Sequence, residues 1–194
     1  MAIERIYLVQ LLKDFDTYIF YKLNSGLQNS FFDILMPFVT NFRNWYFVIP
    51  LIILLFIIRD WKKGLVTILL VVIAVSISDY LNSHIIKSLF GRLRPCHALP
   101  IETIHLPVGC PHNPSFPSSH ASNIFALSVV LAYRYRTLLA VMLIYSLLVC
   151  LSRVYIGVHY PFDVIAGGVS GIFYGSTVIY LYNQIIRKHE RTKT

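Results

Sequence analysis

Five separate stretches of this chain are apolar over lengths that suit a lipid bilayer. A membrane-crossing helix needs about 20 mostly apolar residues, because hydrocarbon offers nothing to an open backbone. The stretches run from about Trp45 to Ile58, Leu65 to about Ser88, Ala121 to Tyr133, Leu138 to about Ile156 and Phe162 to Ile186. The first and third are short by themselves and borrow flanking residues. The chain is 56% hydrophobic and 13% charged, with a mean hydropathy of +0.64, whereas a soluble domain carries about 25% charged residues. Disorder is excluded by the same numbers, and 9 Gly and 3 Cys exclude a collagen-like chain or a Cys-rich secreted scaffold. The expected fold is an all-α, polytopic membrane bundle in one domain spanning residues 1–194. An interfacial segment (1–44) would precede a transmembrane bundle (45–186), with an outer loop at 88–120.

Glu4, Arg5, Lys13, Asp14 and Asp16 interrupt every apolar run at the start of the chain, so no signal peptide is expected. Wound as a helix, Tyr7, Leu8, Leu11, Leu12, Phe15, Tyr18 and Ile19 share one face, and Arg5, Lys13 and Asp16 the other. That pattern suits a helix lying in the membrane interface, or one packed on the rim of the bundle. Residues 24–44 read as a turn and a short, partly buried helix.

Lys and Arg number 17 against 9 Asp and Glu. In so apolar a chain this excess marks cytoplasmic flanks rather than nucleic-acid binding. Arg59, Lys62 and Lys63 follow span one, Arg134 and Arg136 follow span three, and Arg187, Lys188, Arg191 and Lys193 follow span five. These ends share one side, which the positive-inside rule makes cytoplasmic. The 88–120 loop, the turn between spans four and five, and the N-terminus then face outward. The loop holds six of the nine prolines, so it is neither helix nor regular strand. It also holds Cys96 and Cys110. On an oxidising face they would close a loop of about 15 residues, for which chain entropy gives about 3 kcal/mol. The alternatives are two reduced thiols, or a zinc site with His97 and His112 whose spacing matches no usual Cys-x-x-Cys pattern. Cys150 reads as a small core residue.

Polar residues at membrane depth are costly and face the bundle interior or a water-filled cavity. Here they gather at the outer ends of spans. Lys87 closes span two and Arg94-Pro95 follows; Pro117-Ser118-Ser119-His120 opens span three; Ser152-Arg153 ends span four, before His159 and Asp163. All map to the outer face that the loop charges define independently. Lys87, Arg94 and Arg153 bring three cations to one place, two of them planar forks suited to phosphate oxygens. Ser118 and Ser119 add hydroxyls, and the start of span three adds free backbone N–H groups. Such a site suits a tetrahedral, multiply charged anion. Asp163, four residues after His159, can hold one ring nitrogen and leave the other free to attack. His120, on the opposite wall, can protonate a departing oxygen. Glu102 and Asp163 are the only acids between Asp79 and Glu190, so no carboxylate cluster offers a metal site and no cofactor is expected.

Lys-x6-Arg-Pro, Pro-Ser-x-His and Ser-Arg-x5-His-x3-Asp are similar to the three motifs of the type 2 phosphatidic acid phosphatase family, and the match covers spans two to five. The resemblance implies that Lys87, Arg94, Arg153 and Ser118 bind phosphate, with Ser119 contributing a backbone donor where relatives often carry Gly. It also implies that His159 becomes phosphorylated, Asp163 orients it, and His120 is the general acid. Family members commonly have six spans, against five and an interfacial segment here. The implied activity is removal of a phosphomonoester or diphosphate from a membrane lipid on the outer face of a bacterial inner membrane. Undecaprenyl diphosphate, the 1-phosphate of lipid A, phosphatidylglycerol phosphate and phosphatidate are the implied substrates, and a monomer is the favoured state. Vanadium-dependent haloperoxidases share the motifs but are large and soluble. A non-catalytic lipid carrier would need neither histidine.

Residues beside the motifs rank lower. Arg92 would reach a second phosphate or headgroup, or stand solvated in the loop. Asp79 and Ser83 fall on the Lys87 face by helical spacing; Asp79 would tune Lys87 at a distance or, the favoured reading, bond between helices. Tyr155 and Tyr160 read as interface anchors. Gly167, Gly171 and Gly175 form a small-residue seam for close helix packing.

Overall fold

The computed structural model describes residues 2–192. Among them every regular element is helical: α1 (Ala2–Asn24), α2 (Ser30–Thr40), α3 (Val48–Arg59), α4 (Trp61–Tyr80), α5 (Lys87–Phe90), α6 (Pro95–Ala98), α7 (Ser119–Arg134), α8 (Leu139–Tyr155) and α9 (Pro161–Arg191). Lys193 and the side chain of Arg5, both used above, lie outside the described residues. Three stretches, Trp61–Ala98, Arg136–Tyr155 and Pro161–Arg191, are long and apolar enough to cross a membrane, while α2 and α3 are shorter apolar helices. At 1.5 Å per residue α3 spans about 18 Å and α7 about 24 Å, so the two stretches expected to need flanking residues are the short ones.

Polarity is distributed as hydrocarbon solvent demands. Phe47 is 91% exposed and Ile34 75%, whereas Asp16, Asn24, Asn82 and Asp163 are fully buried. Helix α7 is the hub. It runs parallel to α9 and antiparallel to α4 and α8, as cross-links along its length show. Ser122 bonds Ser78 at 2.7 Å and Ser170 at 3.1 Å, Ala121 packs with Val154, Ser128 bonds Ser146 at 2.8 Å, Tyr133 donates to Asn183 at 2.7 Å, and Arg134 donates to Thr67 at 3.1 Å. Such interhelical bonds average about 0.6 kcal/mol each. The glycine seam packs within the bundle. A Cβ on Gly167 or Gly171 would collide with the carbonyl oxygens of Ser118 and Ser122 on α7.

Between α4 and α5 the segment Leu81–Ile86 is a π turn. Lys87, just after it, is 3% exposed, while Asp79, just before it, is exposed and accepts from Asn123 at 2.9 Å. Asp79 thus bonds between helices, and it also lies near enough to Lys87 for its charge to be felt there.

Helix α1 packs on the rim against α8 and α9. Its apolar residues Tyr7, Leu8, Leu11, Leu12, Phe15 and Tyr18 point outward, as expected. Asp16 is turned into the protein and is fully buried. Of the two placements the sequence left open, packing on the rim of the bundle is the one seen, with Asp16 turned inward and Lys13 left exposed. One turn on, Phe20 packs against Ala121, Val154, Tyr160 and Val164. Asn24 then closes the helix by accepting from the His105 N–H at 2.7 Å and donating to the Tyr155 carbonyl at 2.6 Å.

Candidate active site

Four helix ends meet where the site lies: α4–α5 and α8 finish there, and α7 and α9 begin. Gly91 (φ +56°) ends α5 in the left-handed conformation that favours glycine, and sends the chain toward Arg92 and Arg94. Gly157 (φ +78°) does the same after α8, where the His105 carbonyl approaches too closely for any Cβ. Pro161 then starts α9. Ser118 caps α7, its hydroxyl accepting from the Ala121 N–H at 3.4 Å. Its own N–H donates to the Asp163 carbonyl at 2.9 Å, fastening the starts of α7 and α9 together.

His159 is 1% exposed. Its Nδ1 faces Asp163 Oδ2 at 3.5 Å. Its Nε2 lies 3.1 Å from Arg94 Nη1. A guanidinium only donates, so Nε2 must hold the lone pair and Nδ1 the proton. Burial first, then the nearby cations Arg153, Arg94 and Lys87, hold this imidazole well below its ordinary range. His159 is thus neutral, with its electron pair on the nitrogen that meets Arg94.

Those cations are themselves buried: Lys87 and Arg94 are 3% exposed and Arg153 8%. They lie close enough to repel one another. Arg94 spends all five donors on the protein. Nε and Nη2 reach the Asn113 carbonyl (2.8 Å) and Oδ1 (2.9 Å), Nη2 also reaches the Pro114 carbonyl (3.5 Å), and Nη1 divides between the Val158 carbonyl (2.8 Å) and His159. Arg153 Nη1 donates to Thr40 Oγ1 at 2.9 Å, leaving its buried Nε without a partner. Ser119 Oγ pairs with Ser83 Oγ at 3.1 Å. His120, the second residue of α7, is exposed and near enough to Arg153, His159, Lys87 and Arg94 to feel their charge. All eight residues expected to form the site are gathered at this end of the bundle.

Several partners had no signal in the sequence. Arg92, read as a loop or headgroup arginine, is instead held between two buried carboxylates, with Nη1 2.8 Å from Asp163 Oδ1 and Nη2 2.7 Å from Asp16 Oδ2. It also stacks 4.1 Å above the Tyr160 ring. Tyr155 and Tyr160 are buried rather than interfacial. The Tyr155 hydroxyl donates to Asp33 Oδ1 at 2.6 Å. Asn113 and Thr40 were isolated polar residues outside any motif. Cys96 and Cys110 are disulfide-bonded. With His97 they are, among the described residues, the group with metal-ligand proximity, but a disulfide leaves no thiolate for zinc.

Comparison with known proteins places this geometry in a family. Residues 64–187 match the PAP2 superfamily. The chain is 29% identical to the lipid A 4'-phosphatase of Bacteroides thetaiotaomicron over 87% of its own length and 77% of the relative's. It is 31% identical to the undecaprenyl-diphosphatase BcrC of Bacillus subtilis, covering 81% of this chain and 80% of that one. The crystal structure of Aquifex aeolicus LpxE superposes with a TM-score of 0.66 at 25% identity, covering 84% of this chain and 94% of LpxE. The fold and the site define a membrane-embedded lipid phosphatase. The chain belongs to the PAP2 superfamily.

Proposed function

We propose that the protein hydrolyses a phosphate monoester or diphosphate carried by a membrane lipid, through a phosphohistidine on His159. One observation carries this reading: three buried cations lie near enough to repel one another, and one of them, Arg94, meets the lone pair of a neutral histidine at 3.1 Å. Such a cluster is electrostatically incomplete without an anion, and a phosphate supplies it. Lys87, Arg94, Arg153, Ser118 and Ser119 hold the phosphoryl oxygens. Arg153 Nε, buried and unbonded, is a donor in waiting. Arg94 Nη1, now on His159 Nε2, passes to a phosphate oxygen as that nitrogen attacks.

In the first step the Nε2–P bond forms while the bond from phosphorus to the leaving oxygen breaks. His120 gives that oxygen its proton, and Asp163 stabilises the positive imidazole. In the second step water attacks phosphorus, the P–N bond breaks, and His120 recovers a proton from the water. Both Asp163 oxygens are engaged, by Arg92 and by the Tyr160 N–H at 2.9 Å, and the neighbouring carboxylate, Asp16, is taken up by Arg92 and the Phe162 N–H, so the donor set suits phosphate chemistry without a metal.

The active site faces the outer side of a bacterial inner membrane in this reading, with the C-terminus cytoplasmic and the lipid tail left in the bilayer. Undecaprenyl diphosphate, lipid A phosphate, phosphatidylglycerol phosphate and phosphatidate are the candidate substrates. The activities named for two relatives support the first two. The test is phosphate release from each lipid in detergent, with rapid quenching of radiolabelled substrate. Acid-labile, base-stable label should appear on the protein and vanish in His159→Ala. Full activity of that variant, or activity lost to EDTA and restored by a divalent metal, would overturn the mechanism.

A further inference from the structure

We propose that Asp16 and Arg92 are positioning residues for the reaction, and that α1 thereby completes the catalytic apparatus. The inference rests on the reading of Asp163 as the partner of His159.

Asp163 must present one oxygen to His159 Nδ1 in a fixed orientation. Oδ2 does so while accepting the Tyr160 N–H. Arg92 grips the other oxygen at 2.8 Å and so stops the carboxylate from turning. A lone arginine there would also cancel the carboxylate's charge, and with it the stabilisation of the imidazolium formed on phosphoryl transfer. Asp16 removes that conflict. Arg92 divides its two terminal nitrogens between the two acids, and the triad of two carboxylates and one guanidinium keeps a net charge of −1 beside His159. Geometry is fixed while the negative charge is kept.

The second oxygen of Asp16 shows that the contact is built into the site. Oδ1 accepts the Phe162 N–H at 2.8 Å, an open donor in the first turn of α9. Asp16 therefore holds both Arg92 and the helix start that carries Asp163. The Tyr160 ring lies between Arg92 and Phe20 of α1, with ring centroids 5.5 Å apart. Asp14, two residues away, is exposed and bonded only along its own helix to Gln10 at 2.8 Å, which makes it the control.

The experiment measures kcat and KM of the full-length protein in detergent micelles with dioctanoyl phosphatidate, per folded protein, alongside Tm. Asp16→Asn keeps the shape and an acceptor for Phe162 but removes the charge. Its kcat should fall roughly tenfold or more with KM within about twofold, while Asp14→Asn matches wild type. Asp16→Glu should recover most of the lost kcat. Arg92→Lys, at a partly exposed position, carries the test if Asp16→Asn does not accumulate. A single ammonium cannot grip both acids, so kcat should again fall roughly tenfold at unchanged KM. Asp16→Asn combined with Arg92→Gln should lose no more than Arg92→Gln alone. Wild-type kcat in Asp16→Asn or Arg92→Lys, or independent losses in the double variant, would overturn the proposal. His159→Ala and Asp163→Asn are run in parallel. If they keep activity the site reading itself fails; if they lose it while Asp16→Asn does not, only this inference fails.

Discussion

Arg94 Nη1 donates to His159 Nε2 at 3.1 Å, and this one bond fixes the tautomer of the imidazole. Because the guanidinium has no acceptor, Nε2 carries the electron pair, and the proton sits on Nδ1 facing Asp163. On the proposed mechanism, a nucleophile is thereby prepared before substrate arrives.

The acid limb of the pH profile follows from that environment. Burial and three cations lower the His159 pKa well below the ordinary 6.5. The neutral, attacking form therefore persists as pH falls through 6.5, and is lost only below the lowered value. The expected kcat/KM profile is a bell displaced to acid on both sides: the acid limb follows His159, and the alkaline limb follows His120, which desolvation first and then Arg153 and the other cations also hold below its ordinary range. The substrate's own ionisation is measured by phosphorus NMR and divided out. An acid limb at 6.5 would show an unperturbed histidine.

Much of this was legible in the sequence, for one physical reason: a bilayer forbids stray polar groups, so Lys87, Arg153 and His159 stood out from their apolar surroundings. Asp16 gave no such signal, because it stands beside Lys13 and Asp14 on a helix whose other described charges are exposed. The π turn at 81–86 was invisible because a 3.6-residue period has no term for an inserted residue. Asn113 and Thr40 hold Arg94 and Arg153 across sequence separations of 19 and 113 residues, and neither belongs to a motif.

Arg153 is expected to act through its planar fork as well as its charge. Arg153→Lys keeps the cation but loses the paired donors, so turnover should fall by roughly 10²-fold, equivalent to about 2.7 kcal/mol. Thr40→Val removes the hydroxyl that holds Nη1 at 2.9 Å. A smaller loss, roughly fivefold in kcat/KM, is expected there. Equal effects at the two positions would mean that Thr40 itself touches substrate.

The disulfide closes the loop that supplies Arg94 with its acceptors. Cys96 lies two residues after Arg94 and Cys110 three before Asn113, whose carbonyl and Oδ1 both accept from the guanidinium. Replacing both cysteines by serine should lower unfolding stability by about 3 kcal/mol and raise KM. Asn113→Ala removes only Oδ1 and should raise KM roughly fivefold without a comparable loss of stability. The pair is checked by denaturant unfolding and steady-state kinetics. An unchanged KM in both variants would show that Arg94 needs no support from the loop.

Orientation is tested by the charge at the end opposite the site. Arg134 Nε donates to Thr67 Oγ1 at 3.1 Å, Nη1 to the Tyr182 hydroxyl at 3.2 Å and Nη2 to the Lys63 carbonyl at 3.4 Å. The start of α4, the end of α7 and the distal part of α9 therefore share one end. Arg59, Lys62, Lys63, Arg134 and Arg136 cluster there, and the positive-inside rule assigns that end to the cytoplasm. Glu102 is exposed in the loop at the other end. With Cys96 and Cys110 replaced, Glu102→Cys should react with a membrane-impermeant thiol reagent in intact spheroplasts. Cys150 sits within α8, in the apolar layer, and stays silent. Labelling that appears only after permeabilisation would place the active site inside the cell.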